Sequence, residues 1–273
     1  MKQLLVYLDS SILIALCDGH DDDLRAYVER TAGSGAHTYP FSADQVSEIT
    51  ASEQLDQNER RLGYLERLSR CNYFVHSVTE FGFKSESPKS VHATINEVTI
   101  YPHENKLFAN FVSHNQQRQA REALGLDPNQ LNNLNGLQAV AAIDAALGRN
   151  ALPGNAHAPK SLSELMALTR THVAASLGNQ WKSFGQSESQ AMRSYEIVAL
   201  FSMLDFFGYW SDDSNTYRKG SRFPDSRHTF NASYFDVLVS NDKRMRNRAQ
   251  AVYNVLSIET KVMSAREFCP VAT

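Results

Sequence analysis

Short apolar runs alternate with helical patterns at both ends of the chain. The uninterrupted run Leu4–Leu8 predicts a buried strand of the parallel type, and it ends at Asp9 before the helical stretch Ile12–Leu16. Further strands are predicted at His37–Phe41 and Cys71–Val78. The N-terminal part therefore has the alternation of strands and helices that is typical of a parallel sheet.

Helix signals accompany these strands. Ser42 and Gln45 have the spacing of a capping box, which starts a helix with Glu48 in its second turn, and a long polar helix is predicted over Gln54–Arg70. The C-terminal third repeats the alternation. Its predicted elements are a helix Glu188–Phe207, a helix from Asp225 to about Tyr234, a strand Val237–Val239, a helix Lys243–Leu256, a strand Lys261–Met263 and a capping box of Ser264 with Glu267.

The middle of the chain, 80–187, has a different composition. It is rich in Asn, Gln and Ala, and it predicts helices at Lys106–Leu124, Gln130–Leu147 and Ser161–Phe184, separated by proline and glycine. We therefore expect an α/β domain with a mostly parallel sheet, built from 1–79 and 188–273, with a helical insertion at 80–187.

Composition sets limits on function. The net charge is -3, so nucleic-acid binding would have to rest on a local basic patch. The three cysteines form no CxxC pair, which argues against a disulfide framework or a zinc site and fits a reducing cytoplasm. The N-terminal apolar run is interrupted by Asp9, unlike a signal peptide, and no other run approaches a membrane span, so we expect a cytoplasmic protein without membrane contact.

Carboxylates recur where the predicted strands end. Asp9 and Asp242 directly follow two apolar strands, while Glu48 and Asp225 lie early on helices that start on the same side of the sheet. Clustered carboxylates need a cation to offset their repulsion. Because Mg²⁺ and Mn²⁺ prefer oxygen ligands, the four acids are the predicted catalytic and metal-binding residues.

Five segments resemble the motifs of PIN-domain nucleases. Leu8–Ile14 resembles their opening strand, and Ser42–Ile49 their second acidic motif. Pro224–His228 and Asp236–Met245 are similar to the third and fourth motifs, and Val262–Phe268 to the usual ending. The resemblance covers roughly 1–75 and 190–273, and it implies a Rossmann-like three-layer α/β/α fold that hydrolyses RNA with Mg²⁺ or Mn²⁺. PIN toxins are about half this length, and the insertion has no counterpart among them.

Each acid also has a plainer interpretation. Asp9 could cap the following helix, Glu48 could be a solvated helix residue, Asp225 an ordinary helix start, and Asp242 a turn residue. Asp236 competes with Asp225 as the third acid, but it precedes its strand, so we expect a structural role. Polar neighbours of the acids are predicted to support the site: Ser10, His228, Ser240 and Asn241.

Basic residues are concentrated between 218 and 248. They are Arg218, Lys219, Arg222, Arg227, Lys243, Arg244, Arg246 and Arg248. Such runs are often solvated helix faces, but a positive rim beside an acidic site also suits a phosphodiester. The predicted substrate-binding residues are Arg222, Arg227, Lys243 and Arg244.

Two other functions compete with an endoribonuclease. A haloacid-dehalogenase-like phosphatase needs a second Asp two residues after the first, where this chain has Ser11. A catalytically inert PIN-like scaffold that binds RNA or a protein through its insertion stays open. Also open are the RNA that is cut, the acceptance of DNA, an antitoxin-like inhibitor and a homo-oligomer.

Overall fold

The computed structural model describes residues 3–76, 80–95, 114–150, 158–177, 188–211 and 222–269 of the 273-residue chain. The chain divides into two compact units. The first unit comprises Met1–Ile100, His228–Arg246 and Glu259–Thr273, and the second comprises Tyr101–Arg227 and Asn247–Ile258. None of the described helices has the length and apolar character needed to cross a membrane.

Seven strands are found in the described residues, all of them in the first unit. They are β1 (Leu4–Leu8), β2 (His37–Thr38), β3 (Phe41–Ser42), β4 (Asn72–His76), β5 (Phe81–Ser85), β6 (Val237–Val239) and β7 (Lys261–Met263). The helices of this unit include α1 (Ser10–Asp18), α2 (Asp22–Ser34), α3 (Ala43–Ile49), α4 (Leu55–Ser69), α5 (Pro88–Thr94) and, near the C-terminus, α13 (Ala265–Phe268).

A four-stranded parallel sheet forms the centre of the first unit, in the order β2-β1-β6-β7. The first strand pairs with β6 in the register Val6↔Val237 and Leu8↔Val239. These two neighbouring strands come from opposite ends of the sequence. The predicted α/β class with a mostly parallel sheet is confirmed. Because parallel strands end on the same side, the residues after β1 and β6 lie next to each other.

The single strand predicted at His37–Phe41 is wrong. Its first residues form β2, which pairs with β1, whereas β3 pairs with β4 in a separate three-stranded sheet. Pro40 lies between the two strands. Proline has no N–H to donate to a sheet, and it restricts the residue before it, so the ladder is interrupted here and the chain passes from one sheet to the other.

The beginning of the predicted helical insertion differs from the structure. Phe81–Ser85 forms β5, which pairs antiparallel with β4, and α5 follows within the first unit. Within this strand Gly82 has a φ of 128°, a conformation that other residues rarely adopt. Of the predicted central helices, 106–113 and 178–184 lie outside the described residues.

The second unit is helical in its described residues. Its helices are α6 (His114–Leu124), α7 (Pro128–Leu131), α8 (Gly136–Asn150), α9 (Leu162–Leu177) and α10 (Glu188–Phe207). Two further helices, α11 (Arg222–Ala232) and α12 (Lys243–Val255), each contribute residues to both units. The helix that was predicted to start at Asp225 begins three residues earlier, at Arg222. The helix α10 lies in the second unit, whereas it was predicted as part of the α/β domain.

Side chains along β1 alternate between the two faces of the central sheet. Val6 and Leu8 join the main apolar core of the first unit with Ile12 and Leu16 of α1. Since successive side chains of a strand point to opposite faces, Tyr7 faces the other side of the sheet, where its ring packs edge-on against Phe235 at 5.1 Å. A buried tyrosine hydroxyl requires a hydrogen-bond partner, so a polar network is expected on that face.

Candidate functional site

Asp9 is held at the end of β1 by hydrogen bonds on both carboxylate oxygens. Its side chain caps α1, with Oδ1 accepting from the N–H of Ser10 at 2.9 Å. Its Oδ2 accepts from the hydroxyls of Ser11 at 2.7 Å and Ser240 at 2.9 Å. The capping role considered for Asp9 is therefore real. Because Asp9 is only 7% exposed, these bonds fix the direction of a buried charge at the edge of the sheet.

Ser240 joins Asp9 to the second predicted acid at this edge. Ser240 follows β6, and its Oγ accepts from the N–H of Asp242 at 3.1 Å while its hydroxyl donates to Asp9. Asp242 is exposed, and its Oδ1 accepts from the N–H groups of Arg244 at 2.7 Å and Met245 at 3.1 Å. Asp242 thus caps the N-terminus of α12. Two acids that are far apart in sequence become neighbours through one hydroxyl.

Asn241 contacts the last helix of the first unit. Its Oδ1 accepts from the N–H of Ala265 at 3.2 Å, at the first residue of α13. Asp236 lies at the opposite end of β6, where its Oδ2 accepts from the N–H of Leu5 at 2.8 Å. The expected structural role of Asp236 agrees with this bond, which extends the pairing of β1 and β6 beyond the strand.

Glu48 is paired with a buried histidine. Its Oε2 lies 3.0 Å from Nε2 of His228, whose side chain is 2% exposed. Nδ1 of His228 lies 2.7 Å from the hydroxyl of Tyr7, and the Oγ of Ser10 lies 3.4 Å from Nε2. His228 therefore contacts residues from β1, α1 and α3, and it connects the environment of Glu48 with the residue next to Asp9.

The charge on His228 follows from these neighbours. Burial is the largest single influence and would lower its pKa, but Glu48, Asp9 and Asp44 together outweigh burial and raise the pKa to about 9. Burial also raises the pKa of Tyr7 well above its usual range, and Asp44 adds to that effect. An imidazolium inside an acidic cluster offsets part of the repulsion between the carboxylates.

Both ends of α3, the helix that carries Glu48, are fastened to the rest of the unit. At its start, the predicted capping box of Ser42 and Gln45 is confirmed, and the amide of Gln45 also donates to the carbonyl of Leu8. At its end, Arg61 of α4 donates to the carbonyl of Ile49 at 3.2 Å. The position of Glu48 relative to the end of β1 is therefore well defined.

Two residues of this network were missed by the sequence analysis. Asp44, in the first turn of α3, accepts from the amide of Asn231 at 2.7 Å. Tyr7 lies in an apolar run, where only the need of a buried hydroxyl for a partner could have signalled its role. The contribution of Asp44 has no comparable signal, because an acid in the first turn of a helix is ordinary.

Asp225 differs from the other acids in its placement. It is half-buried and belongs to the second unit, whereas Asp9, Glu48 and Asp242 belong to the first. Of the predicted substrate-binding residues, Arg227 also belongs to the second unit, as does Arg222, whose side chain lies outside the described part of the chain. Lys243 is exposed and Arg244 is half-buried, and both directly follow Asp242.

Not every residue of the basic run is available to a substrate. Arg248 is fully buried in the second unit, where its Nη2 lies 3.1 Å from Oδ1 of Asp205 and donates to the carbonyl of Phe201 at 2.9 Å. It therefore has no place in the predicted positive rim. Arg246 is half-buried and donates to the carbonyl of Ser240 at 2.7 Å, so a guanidinium lies beside the loop that follows β6.

The donor set agrees in kind with Mg²⁺ or Mn²⁺ but does not form a closed ligand group. In the parts of the chain that the structure describes, no three His, Cys, Asp or Glu side chains are arranged to hold one ion. The donors at the strand ends are carboxylate and hydroxyl oxygens, which are the ligands that these hard cations prefer. Each carboxylate oxygen can accept more than one bond, so the observed hydrogen bonds leave coordination open.

Comparison of the chain with protein-family models, with curated proteins and with solved structures gave no match. The resemblance to PIN-domain nucleases therefore rests on the motifs of the sequence.

Proposed function

We propose that this chain is a metal-dependent nuclease of the PIN type, with a three-layer α/β/α fold, that hydrolyses RNA phosphodiesters. The single observation that carries the proposal is the junction at the ends of β1 and β6. There the hydroxyl of Ser240 donates to Asp9 and accepts from the N–H of Asp242. Asp9 and Asp242 were predicted from their positions after strands, and Ser240 was predicted as a polar neighbour that supports the site. The junction lies where ligands bind in parallel sheets.

Asp9, Glu48 and Asp242 would hold the metal, with Asp225 as the fourth acid implied by the motif. When bound, Mg²⁺ or Mn²⁺ would lower the pKa of a coordinated water and offset charge on the attacked phosphate. Ser240 and Ser11 orient the carboxylate of Asp9. Lys243 and Arg244 directly follow Asp242 at the start of α12, and they would bind substrate phosphates.

A cleavage assay with labelled single-stranded and structured RNA tests the proposal. We expect cleavage with Mn²⁺ that EDTA abolishes, and loss of cleavage in Asp9→Asn. Asn keeps the shape of the side chain and an acceptor for the N–H of Ser10, and the hydroxyls of Ser11 and Ser240 can rotate to accept from its amide instead of donating, so the fold should survive while the charge is removed. Cleavage by Asp9→Asn at the wild-type rate would contradict the assignment of Asp9.

A scaffold without catalytic activity is the second candidate. It is favoured by the pairing of Glu48 with His228, which already supplies a cation to the acidic cluster. A scaffold should bind RNA or a protein equally well in EDTA and in Mn²⁺, and its melting temperature should not respond to Mn²⁺. A nuclease should gain stability from the metal, and the gain should keep rising with the logarithm of the Mn²⁺ concentration above the dissociation constant.

A further inference from the structure

Hydrogen bonds link the two ends of α3 through two other elements. The N–H of Gln45 donates to the Oγ of Ser42 at 3.4 Å, and this Oγ lies 3.0 Å from the hydroxyl of Tyr7. The same hydroxyl lies 2.7 Å from Nδ1 of His228, whose Nε2 lies 3.0 Å from Oε2 of Glu48. The path leaves α3 at its cap, crosses β1 and α11, and returns to α3 at Glu48.

This arrangement restricts the direction of the Glu48 carboxylate. A carboxylate only accepts, so His228 must carry its hydrogen on Nε2, and this holds whether the ring is neutral or charged. Tyr7 holds the other ring nitrogen, and Tyr7 is itself fully buried. The ring therefore has no freedom to rotate away from Glu48 without breaking a buried hydrogen bond.

We propose that Tyr7 is a positioning residue of the site, because it fixes the ring of His228, which in turn aims Glu48 at the metal. The inference rests on the proposed function for its consequence but not for its geometry. Residues that orient a ligand from behind typically change metal affinity by about 10- to 100-fold when they are replaced. A tyrosine used only for packing would lose stability on replacement and nothing else.

Tyr7→Phe is the direct test, since it keeps the ring and removes only the hydroxyl. The matched control is Tyr39→Phe. Tyr39 is another buried tyrosine of the first unit, and the partner of its hydroxyl is Oγ1 of Thr31, at 2.6 Å, and not His228 or one of the proposed ligands. Titration calorimetry with Mn²⁺ should give a dissociation constant that is about tenfold larger than that of the wild type for Tyr7→Phe and unchanged for Tyr39→Phe. The cleavage rate at saturating Mn²⁺ should fall for Tyr7→Phe alone.

A measurement without metal makes the test independent of the nuclease proposal. The shift in urea midpoint caused by Tyr7→Phe should shrink to about half or less when Glu48 is first replaced by Ala, because the two residues are coupled through His228. The shift caused by Tyr39→Phe should stay the same in that background. If the shift caused by Tyr7→Phe is also the same in the Glu48→Ala background, and Tyr7→Phe leaves the Mn²⁺ affinity unchanged, Tyr7 only packs and the inference is wrong.

The two proposals fail in different ways. A wild-type protein that neither binds Mn²⁺ nor cleaves RNA contradicts the nuclease proposal, and the urea measurement then decides alone whether Tyr7 positions Glu48. A wild-type protein that does both, with a Tyr7→Phe variant that matches it in metal affinity and cleavage, contradicts only the role of Tyr7.

Discussion

Replacing Asp242 by Asn and by Ala should separate its two roles. Its Oδ1 accepts from the N–H groups of Arg244 and Met245, so it caps α12, and it is also a proposed metal ligand. Asn caps a helix about as well as Asp and loses only the interaction of the charge with the helix dipole, about 0.5 kcal/mol at an exposed site. Ala loses the cap as well, which costs about 1 to 2 kcal/mol. Both variants should lose Mn²⁺-dependent cleavage.

Asp21 provides the control for the cap. It caps α2 in the same way, with its side chain accepting from the N–H of Leu24 at 3.0 Å, and no function is assigned to it. Asp21→Ala should lose about as much stability in urea as Asp242→Ala while cleaving RNA normally. The reasoning is refuted if Asp242→Asn cleaves like wild type, or if Asp242→Ala is no less stable than Asp242→Asn.

Three further predictions concern charge and packing elsewhere. The first replaces the four predicted phosphate-binding residues by glutamine and measures RNA binding at three salt concentrations. The slope of log affinity against log salt should become shallower by roughly 1 for each phosphate that is no longer bound, and an unchanged slope would mean that RNA binds elsewhere. The residues are Arg222, Arg227, Lys243 and Arg244. Hydrogen bonding to Arg61 holds the pKa of Asp18 below its usual range, so this pair should stabilise the fold above about pH 4 and lose its effect as the pH falls through the lowered pKa. Asp18→Asn should therefore cost about 1 to 2 kcal/mol in urea at pH 7 and less at pH 3, which lies below the usual pKa of the carboxyl, and an equal cost at both would contradict the pairing. Gly136→Ala should lower the free energy of unfolding by about 1 to 3 kcal/mol, because the new Cβ would lie 2.6 Å from the backbone N of Ala251. Gly33→Ala is the control and should be neutral or stabilising, because Gly33 has open space around it. Equal urea midpoints for the two variants would contradict the close packing at Gly136.

Local signals in the sequence were enough to predict part of the candidate site. Asp9 and Asp242 were predicted because each follows an apolar strand, and adjacent parallel strands end at the same edge. The capping box at Ser42 fixed the start of α3 and hence the turn that carries Glu48. These are short-range patterns, and the structure retains all of them.

Partners that lie far away in sequence could not be predicted in the same way. Nothing in the residues around Glu48 indicates that His228 would pair with it, because the contact depends on how α3 and α11 pack. Arg248 looked like its basic neighbours on α12, yet burial beside Asp205 removes it from the surface. Pro40 did carry a local signal, since a proline inside a predicted strand argues for a break.

The pairing of β1 with β6 also has a consequence for the order in which the protein can fold during synthesis. Leu4–Leu8 finds one neighbour at His37–Thr38, but its other edge is completed only by Val237–Val239. At typical translation rates the ribosome needs roughly 10 to 45 s to make the intervening chain, and for that time an apolar central strand has an open edge. Nascent chains that stop before Val237 are therefore expected to be prone to aggregation and to depend on chaperones, whatever the final stability of the completed sheet.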